Sequence, residues 1–408
     1  MRAHKIISVP VVIFLISILF AGIVTVPAAA QYDTMQYRYN AAHAGDYSSV
    51  AGSNTSNGPL TWSFSTADHV SSSPAVVNGV VYVGSNDHNV YALDAGTGEK
   101  LWNYTTQDDV DSSPAVVNGV VYVGSNDHNV YALNATTGAK LWNYTTGSYV
   151  HSSPAVVNSV VYVGSEDGNI YAFNASTGAK LWSFTTGNAV LSSPAVVNGV
   201  VYVGSNDHNV YALNATTGAK LWNYLTEDAV LSSPAVVNGV VYVGSNDHNV
   251  YALNATTGAK LWRFATGSYV DSSPAVSNGT VYVGSWYDNV YALNATTGAN
   301  VWNYTTGSYV DSSPAVSNGV VYVGSDDGNV YALNASTGAK LWNYMTGDSV
   351  LSSPAVVNGV VYVGSNDHNV YAMSYAAAAT SQGTTPGFDV VLALVGLLIA
   401  ACLVKRKS

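Results

Sequence analysis

The amino-acid sequence predicts an all-β fold, an eight-bladed β-propeller of four-stranded blades, and three observations carry that expectation. First, the body repeats every 40 residues: Ser-Ser-Pro-Ala-Val begins at Ser72, Ser112, Ser152, Ser192, Ser232, Ser272, Ser312 and Ser352, eight copies in all. Second, each unit divides into four short segments rich in Val, Tyr and Trp, separated by turn residues, and helical periodicity is absent from this body. Third, the eighth unit stops after three segments at Met373, while an unmatched segment near Leu60 to Ser65 precedes the first unit. Pairing that N-terminal strand into the last blade closes the ring and removes the open sheet edge that would otherwise invite aggregation.

The second unit shows how the elements follow from the residues. Ser112–Gly119 reads as the first strand, ending in the hairpin dipeptide Asn118-Gly119. Residues 120–125 (VVYVGS) form the second strand, and the turn residues Asn126–Asn129 follow. Val130–Leu133 is the third strand, Ala-Thr-Thr-Gly the next turn, and Ala139–Thr146 the fourth strand. The strands read as apolar on both faces, as a blade sandwiched between two neighbours requires. Small Ala132 and Gly124 leave room for the bulk of Val, Tyr and Trp. The Trp of the fourth segment recurs at Trp102, Trp142, Trp182, Trp222, Trp262, Trp302 and Trp342, and Trp62 supplies the eighth, 40 residues ahead of the first.

Composition narrows the function. Charged residues make up 9% of the 408, roughly a third of the ~25% usual in soluble domains. A net charge of −11 offers no basic surface to phosphates and sets nucleic acid aside as a partner. Cys402 is the only cysteine, so the repeat body has neither a disulfide framework nor a cysteine metal site.

The ends read as targeting segments. Arg2 and Lys5, an apolar run from Ile6 to Val24, and the sequence VPAAAQ match a signal peptide over residues 1–30, with cleavage after Ala30; an uncleaved anchor is the alternative. A lead-in covers residues 31–56 and the propeller residues 57–376. A linker and sorting motif occupy 377–388, and the hydrophobic tail runs from 389 to 408. Within that tail Val390–Val404 is apolar but shorter than the ~20 residues of a comfortable membrane span. Lys405, Arg406 and Lys407 close it, which keeps the end cytoplasmic and the body outside. Pro386, Gly387 and Phe388, the short apolar span and the basic end together resemble the PGF-type C-terminal sorting signal of archaeal surface proteins. That resemblance implies membrane attachment through the tail or through a lipid that replaces it.

The fourth strand and its preceding turn follow A-x-[DN]-x-x-T-G-x-x-x-W, in the first copy Ala92, Asp94, Thr97, Gly98 and Trp102. This pattern is similar to the tryptophan-docking motif of the pyrroloquinoline quinone (PQQ) repeat family, which implies an eight-bladed propeller over residues 60–376. Residues 35–48 (MQYRYNAAHAGDYS) also resemble the lead-in of such propellers. The quinone site of the family's dehydrogenases implies a vicinal Cys pair, a Ca²⁺ held by Glu, Asn and Asp, and a catalytic Asp. None of these carries over to matching positions here, so we expect no quinone cofactor, no metal and no catalysis. Eight near-identical units offer eight near-identical environments, whereas a reaction needs a uniquely placed acid, base or metal.

The recurring turn histidines His88, His128, His208, His248 and His368, each beside an Asp, could suggest a ring of ligands. Gly168, Asp288 and Gly328 interrupt it, blade spacing separates the turns, and an Asp-rich turn is the simpler reading. Variation between units concentrates just before each Ser-Ser-Pro, in the linker expected at the mouth of the central channel. Asp108, Asp109, Asp111, Tyr149, His151, Tyr269, Asp271, Tyr309 and Asp311 fall there. On the same face, Trp286-Tyr287 replaces Asn-Asp in one unit alone. This is the candidate binding face; the alternative is drift in tolerant loops.

Eleven sequons occur, at Asn54, Asn103, Asn134, Asn143, Asn174, Asn214, Asn254, Asn278, Asn294, Asn303 and Asn334. Six of them, Asn134, Asn174, Asn214, Asn254, Asn294 and Asn334, occupy the turn position where Asn or Asp caps through its side chain. The expected function is a monomeric, secreted, surface-anchored propeller that binds an envelope protein, or alternatively a glycan, without catalysis; a degenerate quinoprotein dehydrogenase is the third reading.

Overall fold

A computed structural model describes residues 34–35 and 60–374. Eight antiparallel sheets, each a four-stranded meander, follow one another in chain order, and no helix occurs among the described residues. In the second blade the strands are Ala115–Val117, Val120–Gly124, Asn129–Asn134 and Lys140–Thr145, from the innermost outward. The eighth blade is completed by Leu60–Ser65, which pairs with Asn369–Ser374 in the register Leu60↔Met373, Trp62↔Ala372 and Phe64↔Val370. The ring therefore closes as the truncated eighth repeat requires. The two-residue strand Thr34–Met35 pairs antiparallel with the innermost strand of the third blade, Ala155–Val157. The signal peptide, the rest of the lead-in, Asn54, the sorting motif and the hydrophobic tail lie outside the described residues.

Two expectations need correction. The innermost strand begins at Ala115 rather than Ser112, because the Ser-Ser-Pro residues direct their hydrogen bonds sideways. Ser73 N donates to Ser113 Oγ at 2.9 Å, the same bond recurs from blade to blade, and Ser353 N returns to Ser73 Oγ at 2.9 Å. These eight bonds form a closed circle around the channel. Proline, which has no N–H, follows the serines where no ladder bond is needed. The outermost strand is also not apolar on both faces: Lys140–Thr145 alternates, with Trp142 buried and Leu141 and Asn143 exposed. The three inner strands are covered on both sides: Ala115, Val116 and Val117 are all buried, and Val121, Val123, Val130 and Leu133 are fully buried.

The Trp motif acts between blades. Trp102 lies on the turn of the next blade so closely that a Cβ on Gly138, itself at φ +71°, would sit 2.7 Å from the indole. Its Nε1 donates to Ala135 O at 2.9 Å, and Tyr82 OH reaches the same carbonyl at 3.1 Å. The pair recurs around the ring, and across the closure Trp62 Nε1 and Tyr362 OH share Ala95 O at 3.0 and 3.1 Å. A second close approach sits nearer the channel: a Cβ on Gly124 would meet Val150 O at 2.4 Å. Among the described residues, blade spacing is thus set by two kinds of glycine, seven under an indole and eight against a backbone carbonyl.

Candidate binding face at the channel mouth

The linkers before each Ser-Ser-Pro and the turns at Asn126–Asn129 and its equivalents share one face. Asn126 N donates to Asp109 O at 2.8 Å, and in seven blades the turn Asp clamps the preceding linker. In the second blade Asp127 Oδ2 accepts from Gln107 N at 3.0 Å and from Tyr131 OH at 2.6 Å, while Oδ1 accepts from Asn129 N at 3.0 Å. Burial alone would raise the Asp127 carboxyl, but these hydrogen bonds outweigh it and hold the group below the usual carboxylate range. The turn aspartates are therefore scaffold, as the sequence suggests. The histidines beside them adopt left-handed backbone, with φ +67° at His88 and +72° at His128, where Gly168 and Gly328 stand in other blades.

The sequence-predicted residues gather into two clusters. Around blades 2 and 3, His151 Nδ1 lies 3.3 Å from Asp111 Oδ2 and its Nε2 3.4 Å from Glu166 Oε1. Asn126 Nδ2 donates to Asp111 Oδ2 at 3.0 Å. Burial alone would lower the imidazole, yet the hydrogen bond and charge of Asp111, with Glu166, raise it above its ordinary value. Beside this pair, His88 Nδ1 stands 3.3 Å from Asp109 and 3.9 Å from Asp108. Tyr149 sets its ring 5.3 Å from His128 and 6.0 Å from His151.

The second cluster spans blades 5 to 7. Trp286 stacks on Tyr309 with centroids 5.3 Å apart and planes 9° from parallel, and Tyr269 meets the Trp286 edge at 5.3 Å. Trp286 Nε1 donates to Asp311 Oδ1. Tyr287, 63% exposed, stands over Gly267 and takes the place of the clamping Asp, so Tyr291 OH turns to Thr266 O at 3.0 Å instead. Burial pushes Asp271 up to about 6, and burial together with the Asp271 charge pushes Asp311 up to about 7. Asp271 Oδ1 is buried and has no hydrogen-bond partner. Two buried carboxyls of raised proton affinity beside three aromatic rings can accept a cation or a hydrogen-bond donor.

Sequence reasoning missed Asn126, Glu166 and Asp326, the turn residues that complete these clusters. The signal was present in the spacing: each of these turn residues stands fifteen positions after the linker residue it meets, Asn126 on Asp111, Glu166 on His151 and Asp326 beside Asp311. Each turn also faces the next linker about twenty positions on, as His88 faces Asp108. The six turn sequons cap as expected, Asn134 Oδ1 accepting from Thr136 N at 2.9 Å and Thr137 N at 3.0 Å. Asn103, Asn143 and Asn303 lie exposed on outermost strands, and Asn278 sits in an exposed hairpin turn at φ +48°.

Comparison with known proteins agrees with the architecture. Residues 26–239 match the family profile described as beta-alanine-activating enzyme, beta-propeller, and residues 246–381 match outer membrane protein assembly factor BamB. Residues 385–407 match the PGF-CTERM motif, which indicates a secreted, surface-anchored protein. A search of curated proteins finds no match. Among solved structures, BamB from Moraxella catarrhalis is similar at 22% identity and TM-score 0.69, over 78% of this chain and 99% of that one. A computationally designed protein, Ika8, is similar at 20% identity and TM-score 0.71, over 78% of this chain and 100% of that one. A europium-containing methanol dehydrogenase is similar at 16% identity and TM-score 0.71, over 84% of this chain and 98% of that one. At such identities the likeness concerns fold alone. With more than half its length matched by one propeller profile and most of the remainder by another, the chain belongs to the PQQ-like β-propeller family and carries a PGF-type C-terminal signal.

Proposed function

We propose that this chain is a non-catalytic propeller of an archaeal cell surface, monomeric, which binds an envelope protein at its channel mouth through the aromatic and acidic patch of blades 5 to 7. The observation that carries this reading is the confined break in the eightfold repeat: Trp286-Tyr287 where five other blades hold Asn-Asp, stacked against Tyr309 and bonded to Asp311. Trp and Tyr dominate protein interface hot spots, and a Lys or Arg from the partner would gain both the ring faces and the carboxylates. In this reading the leader is removed, the PGF-type tail or a lipid replacing it holds the body at the membrane, and several exposed sequons carry glycans. The absence from the sequence of a vicinal Cys pair and of a Glu-Asn-Asp set argues against the quinoprotein reaction.

The experiment exchanges Trp286-Tyr287 for Asn-Asp and Tyr309 for Ala, residues that other blades already tolerate at those positions. Capture of a partner from envelope extracts is expected to vanish in the exchanged protein, and capture that survives removes the mouth patch from consideration. A glycan reading keeps one specific support, the half-exposed rings of Tyr269 and Tyr309 beside carboxylates; silence on a glycan array counts against it. Titration with the quinone and Ca²⁺ is expected to leave the absorbance spectrum additive, and a stoichiometric bound chromophore would overturn the non-catalytic assignment.

A further inference from the structure

The offset between turn and linker builds one small pocket eight times and fills it with different residues. His88 meets Asp108 and Asp109, and His208 meets Asp228 at 3.9 Å. His128 and His248 instead place their rings 5.3 and 5.4 Å from Tyr149 and Tyr269. The same geometry recurs across the closure, where His368 of the last blade meets Asp68 and His69, which follow the N-terminal strand. Among the eight pockets this one alone unites two imidazoles and a carboxylate.

One donor atom from each of Asp68, His69 and His368 lies within 4.8 Å of the others. Asp68 Oδ1 is 3.7 Å from His69 Nε2 and 4.0 Å from His368 Nε2, and the two rings meet edge-on with centroids 5.0 Å apart. Ligands bound at about 2.0–2.2 Å in a tetrahedron stand about 3.4 Å apart, so side-chain rotations that draw the donors together by about 0.3–1.4 Å complete the set. The backbone beneath is pinned. Thr66 N and Oγ1 donate to His368 O at 2.8 and 2.9 Å, Thr66 Oγ1 donates to Asp68 O at 2.7 Å, and His69 N holds Asp68 Oδ1 at 2.7 Å. His69 Nδ1 is buried with no hydrogen-bond partner, so no competing bond fixes that imidazole.

We propose that Asp68, His69 and His368 bind a borderline transition-metal dication of the Zn²⁺ or Cu²⁺ class, and that the ion clasps the first and last blades where the propeller closes. Two imidazoles and a single carboxylate favour such ions over Ca²⁺ and Mg²⁺, which prefer sets of oxygens. The side chains are 44 to 47% exposed, which leaves the remaining coordination to water. His69 and His368 are separated by about three hundred residues, so an ion shared between them binds the closed ring and not the opened chain. The His88, Asp108 and Asp109 pocket also brings its donors within 4.8 Å, but with one imidazole, and its ligands come from consecutive repeats. The proposal departs from the sequence expectation of no metal, which considered the turn histidines only against one another.

The test uses the full chain, stripped with a chelator and titrated with Zn²⁺ while binding and thermal unfolding are followed. At a hundredfold excess of zinc over its dissociation constant the midpoint is expected to rise by about 4 °C. His368→Gly and Asp68→Ser are expected to abolish both the stoichiometric site and the rise. Both are compatible with the fold, because Gly168 and Gly328 occupy the turn position at φ +81° and +80°, and Ser148, Ser268 and Ser308 the linker position. His88→Gly is expected to retain both, and Ca²⁺ at the same concentration to produce neither. Absence of zinc binding, or a rise that survives His368→Gly and Asp68→Ser, overturns the proposal. Any stability these variants lose in chelator is subtracted, since the zinc-dependent increment alone is read.

Discussion

The shared carbonyl at the blade interface yields a prediction that separates docking geometry from simple burial. Ala175 O accepts Trp142 Nε1 at 2.9 Å and Tyr122 OH at 3.1 Å, both bonds buried. Burial pushes the Tyr122 phenol up to about 12, so it remains a donor throughout the accessible pH range. Tyr122→Phe removes one hydrogen bond and leaves the carbonyl its indole partner, at a cost of about 1 kcal/mol. Trp142→Phe removes the other bond together with part of the ring that covers Gly178, for about 2–3 kcal/mol. The double variant strips the buried carbonyl of both side-chain donors, which adds an unsatisfied-acceptor penalty of about 1–2 kcal/mol beyond the sum. Equilibrium urea unfolding of the four proteins in the cycle measures this term, and the lost indole area cancels from it. Additivity within about 0.5 kcal/mol would refute the argument, because the carbonyl would then draw no more on two donors than on one.

Gly138→Ala is expected to cost about 2 kcal/mol or more in the same assay, since the new methyl meets the Trp102 indole at 2.7 Å from a backbone at φ +71°. Trp62→Ala removes an 8%-exposed indole and its bond to Ala95 O at the closure, and is expected to cost about 3–5 kcal/mol and to increase self-association through the freed edge, read by urea unfolding and light scattering. Asp311 and Asp271 carry folded-state values raised to about 7 and about 6, so the folded chain holds protons that the unfolded chain has released. Their contribution is intact below pH ~4 and is lost as the pH rises through about 7, so Asp311→Asn should leave stability unchanged at the acid end and raise it relative to wild type above neutrality. An advantage confined to acid pH would reverse the assignment. Asp127, held below its usual range, works in the opposite sense, and Asp127→Asn is expected to destabilise by about 1–3 kcal/mol at neutral pH, with the difference narrowing as the pH falls below about 4.

The repeat made much of the fold legible because each signal in it is local. The hairpin residues Asn118-Gly119, the capped turn at Asn134 and the 40-residue spacing each specify a strand boundary without reference to distant residues. The missing fourth segment after Met373 and the orphan strand at Leu60 were enough to imply the closure that the register Trp62↔Ala372 realises. The serine circle was not legible, because Ser112 and Ser113 resemble ordinary strand residues until a neighbouring blade supplies their partners. The candidate face was legible as a set of variable positions but not as clusters. Trp286 and Tyr309 lie on different repeats, and Asp271 gains its unusual proton affinity from burial and lifts that of Asp311 through space.

The sequence by itself thus determined the number of blades, the strand order and the way the ring closes, since all three follow from periodic local patterns and one missing segment. Tertiary structure alone decided which side chains meet across blades: the carbonyl shared by Trp142 and Tyr122, the Trp286–Tyr309 stack, and the approach of His368 to Asp68 and His69. The physical reason is that identical repeats fix a geometry eight times over, while the chemistry at each interface depends on which two units the ring brings together.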